Sequence, residues 1–377
     1  MRIVRLLGPL LAGLIASPHA HAGDWDLNLG RLCIIEAGNN AILDCGGGYN
    51  PAFGVKQVIP DNAAFRALMS ELGAIFAPNI LSTAETRGWN GFNAALEMGF
   101  TSINPRKNAN GGRNANDKYA PPEHRYWRAA ESVSSTAFSE GNIRTGAAAA
   151  RIDQELPASF APTISAMLRK SFWLPVPSVE LGLGMRHLIG SHMVAGVVSA
   201  KVSLHEGFHG WPLPGLAVRG TASRLMGTPG FNLTTGALDF SISKHFGIAS
   251  TFNLTPYLGY QLLWVLAASE VIDATPGVDA VAQSLASART PLELAQCRAA
   301  DCNAHFTFDQ QDNILRHRFF FGLRANLYLF SLLAEYSYFA AGRATDRLVT
   351  AVTQIPVDLA DESGAQHAVS FALAVDY

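Results

Sequence analysis

The chain has 377 residues, and its 28 Lys+Arg against 30 Asp+Glu leave a formal net charge of −2, a balance that gives no electrostatic reason for nucleic-acid binding. Apolar residues make up 49% and charged ones only 15%, which is apolar for an exported water-soluble protein. Even so, no apolar run approaches the roughly 20 residues of a membrane helix.

In chain order, Arg2 and Arg5, the apolar stretch Leu6–Ala16 and the Ala20-His21-Ala22 site form the three parts of a secretory signal peptide. Residues 1–22 are therefore expected to be removed, and 23–90 to form an N-terminal plug or periplasmic segment. Export favours disulfides among Cys33, Cys45, Cys297 and Cys302. Four cysteines allow three connectivities, of which the local pairs Cys33 with Cys45 and Cys297 with Cys302 are the simplest. Asp61 can cap a helix over 61–76, where Phe65, Leu68, Met69, Leu72, Ile75 and Phe76 share a face. Such a helix can plug a lumen, pack beneath a barrel, lie on a membrane surface, or simply serve as a packing element.

From Phe92 onward the pattern changes to period two. Phe92, Ala94, Leu96, Met98 and Phe100 fall on one face of Phe92–Ser102, and Asn93, Ala95, Glu97, Gly99 and Thr101 on the other. Comparable segments follow at Ile164–Leu174, Val179–Ile189, Val194–Leu204, Leu216–Arg224, Gly236–Phe246, Phe252–Leu266, Leu315–Ala325, Phe330–Tyr338 and His367–Tyr377. They predict an all-β fold: a transmembrane antiparallel up-and-down β-barrel of about ten strands over 91–377. Twelve is the alternative, if Asn79–Thr86 or a hairpin around Tyr126-Trp127 adds strands, and a soluble sandwich is the competing fold. The final strand stops on Tyr377, an ending that resembles the insertion signal of bacterial outer-membrane barrels. The expected location is the outer membrane, and the expected partners are its lipid and the barrel-assembly machinery acting through that strand. As the closing strand it must pair with Phe92–Ser102. The three long connections, 103–163, 267–314 and 339–366, fall on one side, as external loops do.

If the apolar faces meet lipid, the opposite faces line the lumen. These carry Glu97, Arg169, Glu180, Arg186, Lys201, Arg219, Asp239, Arg316, Arg318, Arg324, Glu335 and Asp376. A modest basic excess could favour anions or acidic amphiphiles. The plainer reading is that opposite charges pair to fill a narrow interior.

Local motifs add little. His205-Glu206-Gly207-Phe208-His209 matches H-E-x-x-H, but it ends a strand and runs into Gly210 and Pro212, so no helix aligns the two imidazoles on a metal. It reads as a turn, and no metal or cofactor is expected. Ser191 and His192, near His187, could form a hydrolase site at the barrel rim only with a third partner. None is identifiable, so the chain is not expected to be an enzyme.

Ala37-Gly38-Asn39 and Tyr49-Asn50-Pro51-Ala52 resemble the N-terminal segment of the long-chain fatty-acid transporter family. That resemblance implies a plug followed by a barrel that passes hydrophobic molecules. The leading functional expectation is passive passage of a small solute, amphiphiles included, across the outer membrane. The alternative is a surface barrel presenting large loops for adhesion or envelope structure, with an outer-membrane hydrolase third.

Overall fold

The computed structural model describes residues 25–27, 29–37, 42–44, 55–88, 91–103, 127, 159–172, 178–206, 213–228, 230–249, 252–273, 305–342, 346–349, 356–359, 361 and 363–377. Ten strands form one closed antiparallel barrel. They are β1 (Phe92–Ser102), β2 (Phe160–Phe172), β3 (Ser178–Leu188), β4 (Val194–His205) and β5 (Gly215–Met226), then β6 (Phe231–Ser243), β7 (Phe252–Ser269), β8 (Gln311–Leu327), β9 (Phe330–Phe339) and β10 (Gln366–Asp376). The seam between β10 and β1 runs from Ala368↔Thr101 to Asp376↔Asn93. Phe92 N donates to Tyr377 O (2.6 Å) and Tyr377 N to Phe92 O (2.8 Å), which finishes it. Closure leaves every strand paired on both sides, the condition for β-structure in lipid.

Three strand positions differ from the sequence expectation by four residues or more, one of them β8, which starts at Gln311 rather than Leu315. β2 starts at Phe160 rather than Ile164, with Pro162 inside it opposite Phe100. Pro162 still offers a carbonyl, which accepts from Ile189 N at 2.9 Å. β6 runs Phe231–Ser243 rather than Gly236–Phe246, because in its first half the outward positions are Asn232, Thr234 and Gly236 while the apolar Phe231 and Leu233 face inward. Phe246 belongs instead to a short strand, Phe246–Ala249, folded back onto the start of β7. The barrel closes at ten strands and not twelve: Asn79–Thr86 joins no sheet, and of the expected hairpin around Tyr126-Trp127 only Trp127 is among the described residues, its Nε1 donating to Glu71.

Outward positions form an apolar band: Leu183, Phe321 and Leu332 are each at least 60% exposed. An apolar surface this continuous is explained by lipid, not water. The three long connections (103–159, 270–310 and 340–365) share one end of the barrel, here the long-loop end, with the turns at 189–193 and 227–230. The opposite, turn end carries 173–177, 206–214, 244–251 and 328–329, and both barrel termini, Phe92 and Tyr377.

Before β1, helix α1 (Asn62–Phe76) is capped by Asp61, whose carboxylate accepts from Ala64 N at 3.1 Å. The chain leaves the helix at Ala77, ahead of Pro78, which disfavours a helical residue before it. Residues 63–76 are all buried, on every face, because the helix lies within the barrel mouth at the long-loop end. Phe65, Leu68, Leu72 and Ile75 pack on inward residues such as Leu225, Leu233, Leu263 and Val265. At Gly73 the helix approaches β7 so closely that a Cβ would overlap Val265. Upstream, Cys33–Ala37, Ile42–Asp44 and Val55–Pro60 form a three-stranded sheet at the same end. Trp25 N bonds Gly190 O (3.0 Å) and Asn62 bonds Asp309, which anchors this part to the loop-end rim.

Candidate functional site

The site is the lumen and what occupies it. All twelve lumen candidates project inward: eleven are buried, and the side chain of Asp376 is 20% exposed at the turn end. Ten of them form five ion pairs: Arg169–Glu97 (2.7 Å), Lys201–Glu180 (3.1 Å), Arg219–Asp239 (3.0 Å), Arg318–Glu335 (2.8 Å) and Arg324–Asp376 (2.6 Å). Inside a water-poor interior, partners of this kind are what make buried charge tolerable. The other two meet the N-terminal segment. Arg316 Nη1 donates to Ser70 and Ser363 (2.9 Å each), and Arg186 donates to Ile75 O (2.8 Å) and to Ala77 O.

Strand register gives these residues an order. Ser171, Glu180, Lys201, Arg219, Asp239, Gln261 and Arg318 are successive cross-strand partners from β2 to β8. Their side chains share the inner face, so they form one polar ladder around the wall. Residues 77–88 follow it. Arg318 donates to Pro78 O (3.0 Å), Arg219 to Ile80 O (2.8 Å), and Lys201 Nζ to Thr83 O (3.2 Å) and Glu85 O (2.9 Å). Ser171 Oγ then accepts from Arg87 N at 3.1 Å. Chain position and ladder position change together, so the segment runs from α1 at the loop end to the turn end. There Arg87 pairs with Asp376 (3.3 Å), and Thr86 N and Oγ1 donate to Glu206 (2.9 and 2.8 Å).

Glu335 is the central junction. It accepts from Arg318, Tyr257 Oη (3.0 Å), Ser337 (3.2 Å) and the backbone N of Leu81 (2.8 Å). Tyr257 reaches it across Gly322, where a Cβ would occupy the space of the phenol. Leu81 itself has φ of 31°, a left-handed conformation unusual for a branched side chain, and is 1% exposed among Ala95, Met167, Val197 and Leu333. Asn79 bonds Glu97 (3.3 Å) and Ser370 (3.2 Å) beside it.

His205 Nδ1 lies 3.2 Å from Pro214 O and Glu206 serves Thr86, while Gly207–His209 lie outside the described residues. At the loop-end rim His192 Nδ1 is 2.6 Å from Asp26 Oδ2, and His192 N donates to Asp26 Oδ1 (2.8 Å). Asp26 is thus a partner that sequence reasoning missed. Ser191 Oγ is turned to backbone groups, Leu188 O (2.9 Å) and Met193 N (3.1 Å), rather than to an imidazole, and His187 Nδ1 is 3.1 Å from Met193 O. Cys33 is in a disulfide. Cys45, Cys297 and Cys302 lie outside the described residues, and the pairing with them. Among the described residues, no group of three or more His, Cys, Asp and Glu is placed to hold a metal.

A closed ten-stranded barrel with an apolar outer band, a polar interior and a lumen-filling helix defines the class: this is a bacterial outer-membrane β-barrel protein. No family model matches the chain, that of the long-chain fatty-acid transporters included, and its Tyr49–Ala52 motif lies outside the described residues. No curated protein matches either. Solved structures to which it is similar include OmpT, an outer membrane protein of Vibrio cholerae, at 10% identity and TM-score 0.24, over 58% of this chain and 60% of that one. The chain therefore spans less than two thirds of that protein. The transport unit of the autotransporter AIDA-I from Escherichia coli is 9% identical (TM-score 0.32, 84% of this chain, 98% of that one). The translocator domain of the autotransporter NalP from Neisseria meningitidis is 7% identical (TM-score 0.27, 82% and 94%).

Proposed function

We propose that this protein is a closed surface barrel of the outer membrane, which presents its long loops and N-terminal sheet for contact or envelope structure rather than conducting solute. One observation carries the reading: residues 62–87 fill the lumen, and the wall's charges are spent on each other and on that segment. A passive pore needs a continuous watery path, and a ten-stranded barrel is too narrow to offer one beside an ordered helix. Passage of a small amphiphilic solute, the competing reading, requires residues 77–88 to leave the ladder first.

Single-channel recording of the full chain in planar bilayers tests this. The expected trace shows no stable open level across ±100 mV. A steady conductance from the intact, folded protein, or an uptake defect for a small amphiphile in a deletion strain, would overturn the closed-barrel reading in favour of passage.

A further inference from the structure

Both barrel termini lie at the turn end, yet the chain ahead of β1 is found at the other. Asp61 N bonds Leu32 O (2.9 Å) and the sheet built on Cys33–Ala37 sits with Trp25 and Asp26 at the loop-end rim. Going backward from Phe92, the chain enters the barrel at Arg87, climbs the wall to Ala77, passes through α1 and emerges beside Asp309. The described residues between 25 and 60 and the barrel termini are therefore on opposite sides of the membrane the barrel spans, joined through the lumen. A plug that merely folds up into a barrel from the side of its termini keeps its beginning on that side, and this segment does not.

The manner of recognition is equally unusual. The wall addresses this stretch chiefly as backbone. Four cations, Arg186, Arg318, Arg219 and Lys201, donate to the carbonyls of Ile75, Ala77, Pro78, Ile80, Thr83 and Glu85. In turn Glu335, Ser243, Glu206 and Ser171 accept from the amides of Leu81, Ala84, Thr86 and Arg87. Groups that every residue carries satisfy the wall and are satisfied by it. Side chains are also read, at Asn79, Ile80 and Leu81 and again at Ser82, Thr86 and Arg87, but they make fewer polar contacts to the wall than the backbone does. Among the described residues the wall also holds buried donors without a partner, Arg186 Nη2, Arg219 Nη2 and Gln261 Nε2, all on the inner face.

We infer that the lumen is a polypeptide-binding track, through which the chain's own N-terminal part is carried so that residues 25–60 are displayed at the long-loop face, outside the cell. The ligand class is a polypeptide segment outside helix and sheet, bound chiefly through its carbonyls and amides, and here it is supplied in cis. The inference rests on the closed-barrel reading for the segment being resident, but it concerns which side each part occupies, so conductance and topology fail separately.

Epitope accessibility decides it. One tag is inserted between Ala37 and Ile42 in the full chain, a second at the Tyr328–Leu329 turn. On intact cells antibody should stain the first and not the second; permeabilising should raise the second by at least tenfold and leave the first within about twofold. Staining of the N-terminal tag only after permeabilisation, together with the turn tag, would overturn the inference whether or not the barrel conducts. Should the N-terminal tag prevent assembly, Ile59→Cys with a membrane-impermeant maleimide gives the same two outcomes. The backbone-reading part is tested by Ser82→Ala, Thr83→Ala and Thr86→Ala combined, which keeps every carbonyl and amide of the path. Surface staining within about twofold of the parent is expected, and a tenfold loss in folded protein would show that side chains, not backbone, are read.

Discussion

The two halves of the lumen hold the same segment by opposite means. Towards the loop end the wall is largely apolar, and α1 is clasped by Leu225, Leu233, Leu263, Val265 and Ile314, with Gln311 and Arg316 adding polar contacts to Arg66 and Ser70. Towards the turn end the wall is a polar ladder and the chain lies extended against cations and carboxylates. A helix satisfies most of its own backbone, so α1 asks its surroundings mainly for shape and apolar area, with partners for its buried polar side chains and last carbonyls. A segment without regular secondary structure satisfies few of its own backbone groups, so in the lumen the wall provides partners for many of them. The chemistry of each half therefore follows from the conformation of what it holds.

The ladder is where a single substitution should do the most damage. Arg219→Met leaves Asp239 buried without its partner and orphans Ile80 O, and should cost about 3–5 kcal/mol of barrel stability. Adding Asp239→Leu should recover most of that loss, read as the urea midpoint followed by tryptophan fluorescence; no recovery would mean that the pair is not the source of the effect. In the helix half, Leu72→Ala removes a fully buried side chain and should cost about 2–5 kcal/mol by lost packing, with no partner substitution able to restore it. A midpoint equal to that of the parent would refute the packing account of α1. Gly73→Val drives the helix off Val265 and should cost about 1–3 kcal/mol, offset in part by Val265→Ala in a double-mutant cycle. The smallest effect belongs to Ser82→Ala, which removes one of the oxygens around Lys201 while Thr83 O and Glu85 O remain, and should cost at most about 1 kcal/mol.

The barrel was legible because lipid imposes period two on one face of every strand. β1 agrees with its expected bounds at both ends, Phe92 and Ser102. Alternation weakens where the inner face is apolar as well. The run Leu262–Ala268 in β7 is continuous because Leu263, Val265 and Ala267 pack on α1 while Leu262, Trp264 and Leu266 face outward. The helix was legible from its cap and apolar face, and the twelve lumen residues from their positions between lipid-facing neighbours. Their partners were not. A backbone carbonyl has no signature in sequence, so nothing in Pro78, Thr83 or Glu85 announces Arg318 or Lys201. The Asp26–His192 contact spans 166 positions and joins two short rim segments that no periodicity relates.

Leu81 and its neighbours lie inside a ring made wholly of later residues, which gives the molecule the topology of a lasso. The ring closes at the β10–β1 seam, and β10 is the last strand of the chain. A folded three-stranded sheet on one side and the ring's own attachment at Phe92 on the other make the loop impossible to unthread while both remain folded. Assembly therefore has an enforced order: either the seam zips shut around a chain already in position, or residues 25–60 cross the lumen unfolded and form their sheet afterwards. Pulling on the N-terminal end of the assembled protein should load the sheet first and the barrel second, a mechanical hierarchy set by connectivity alone.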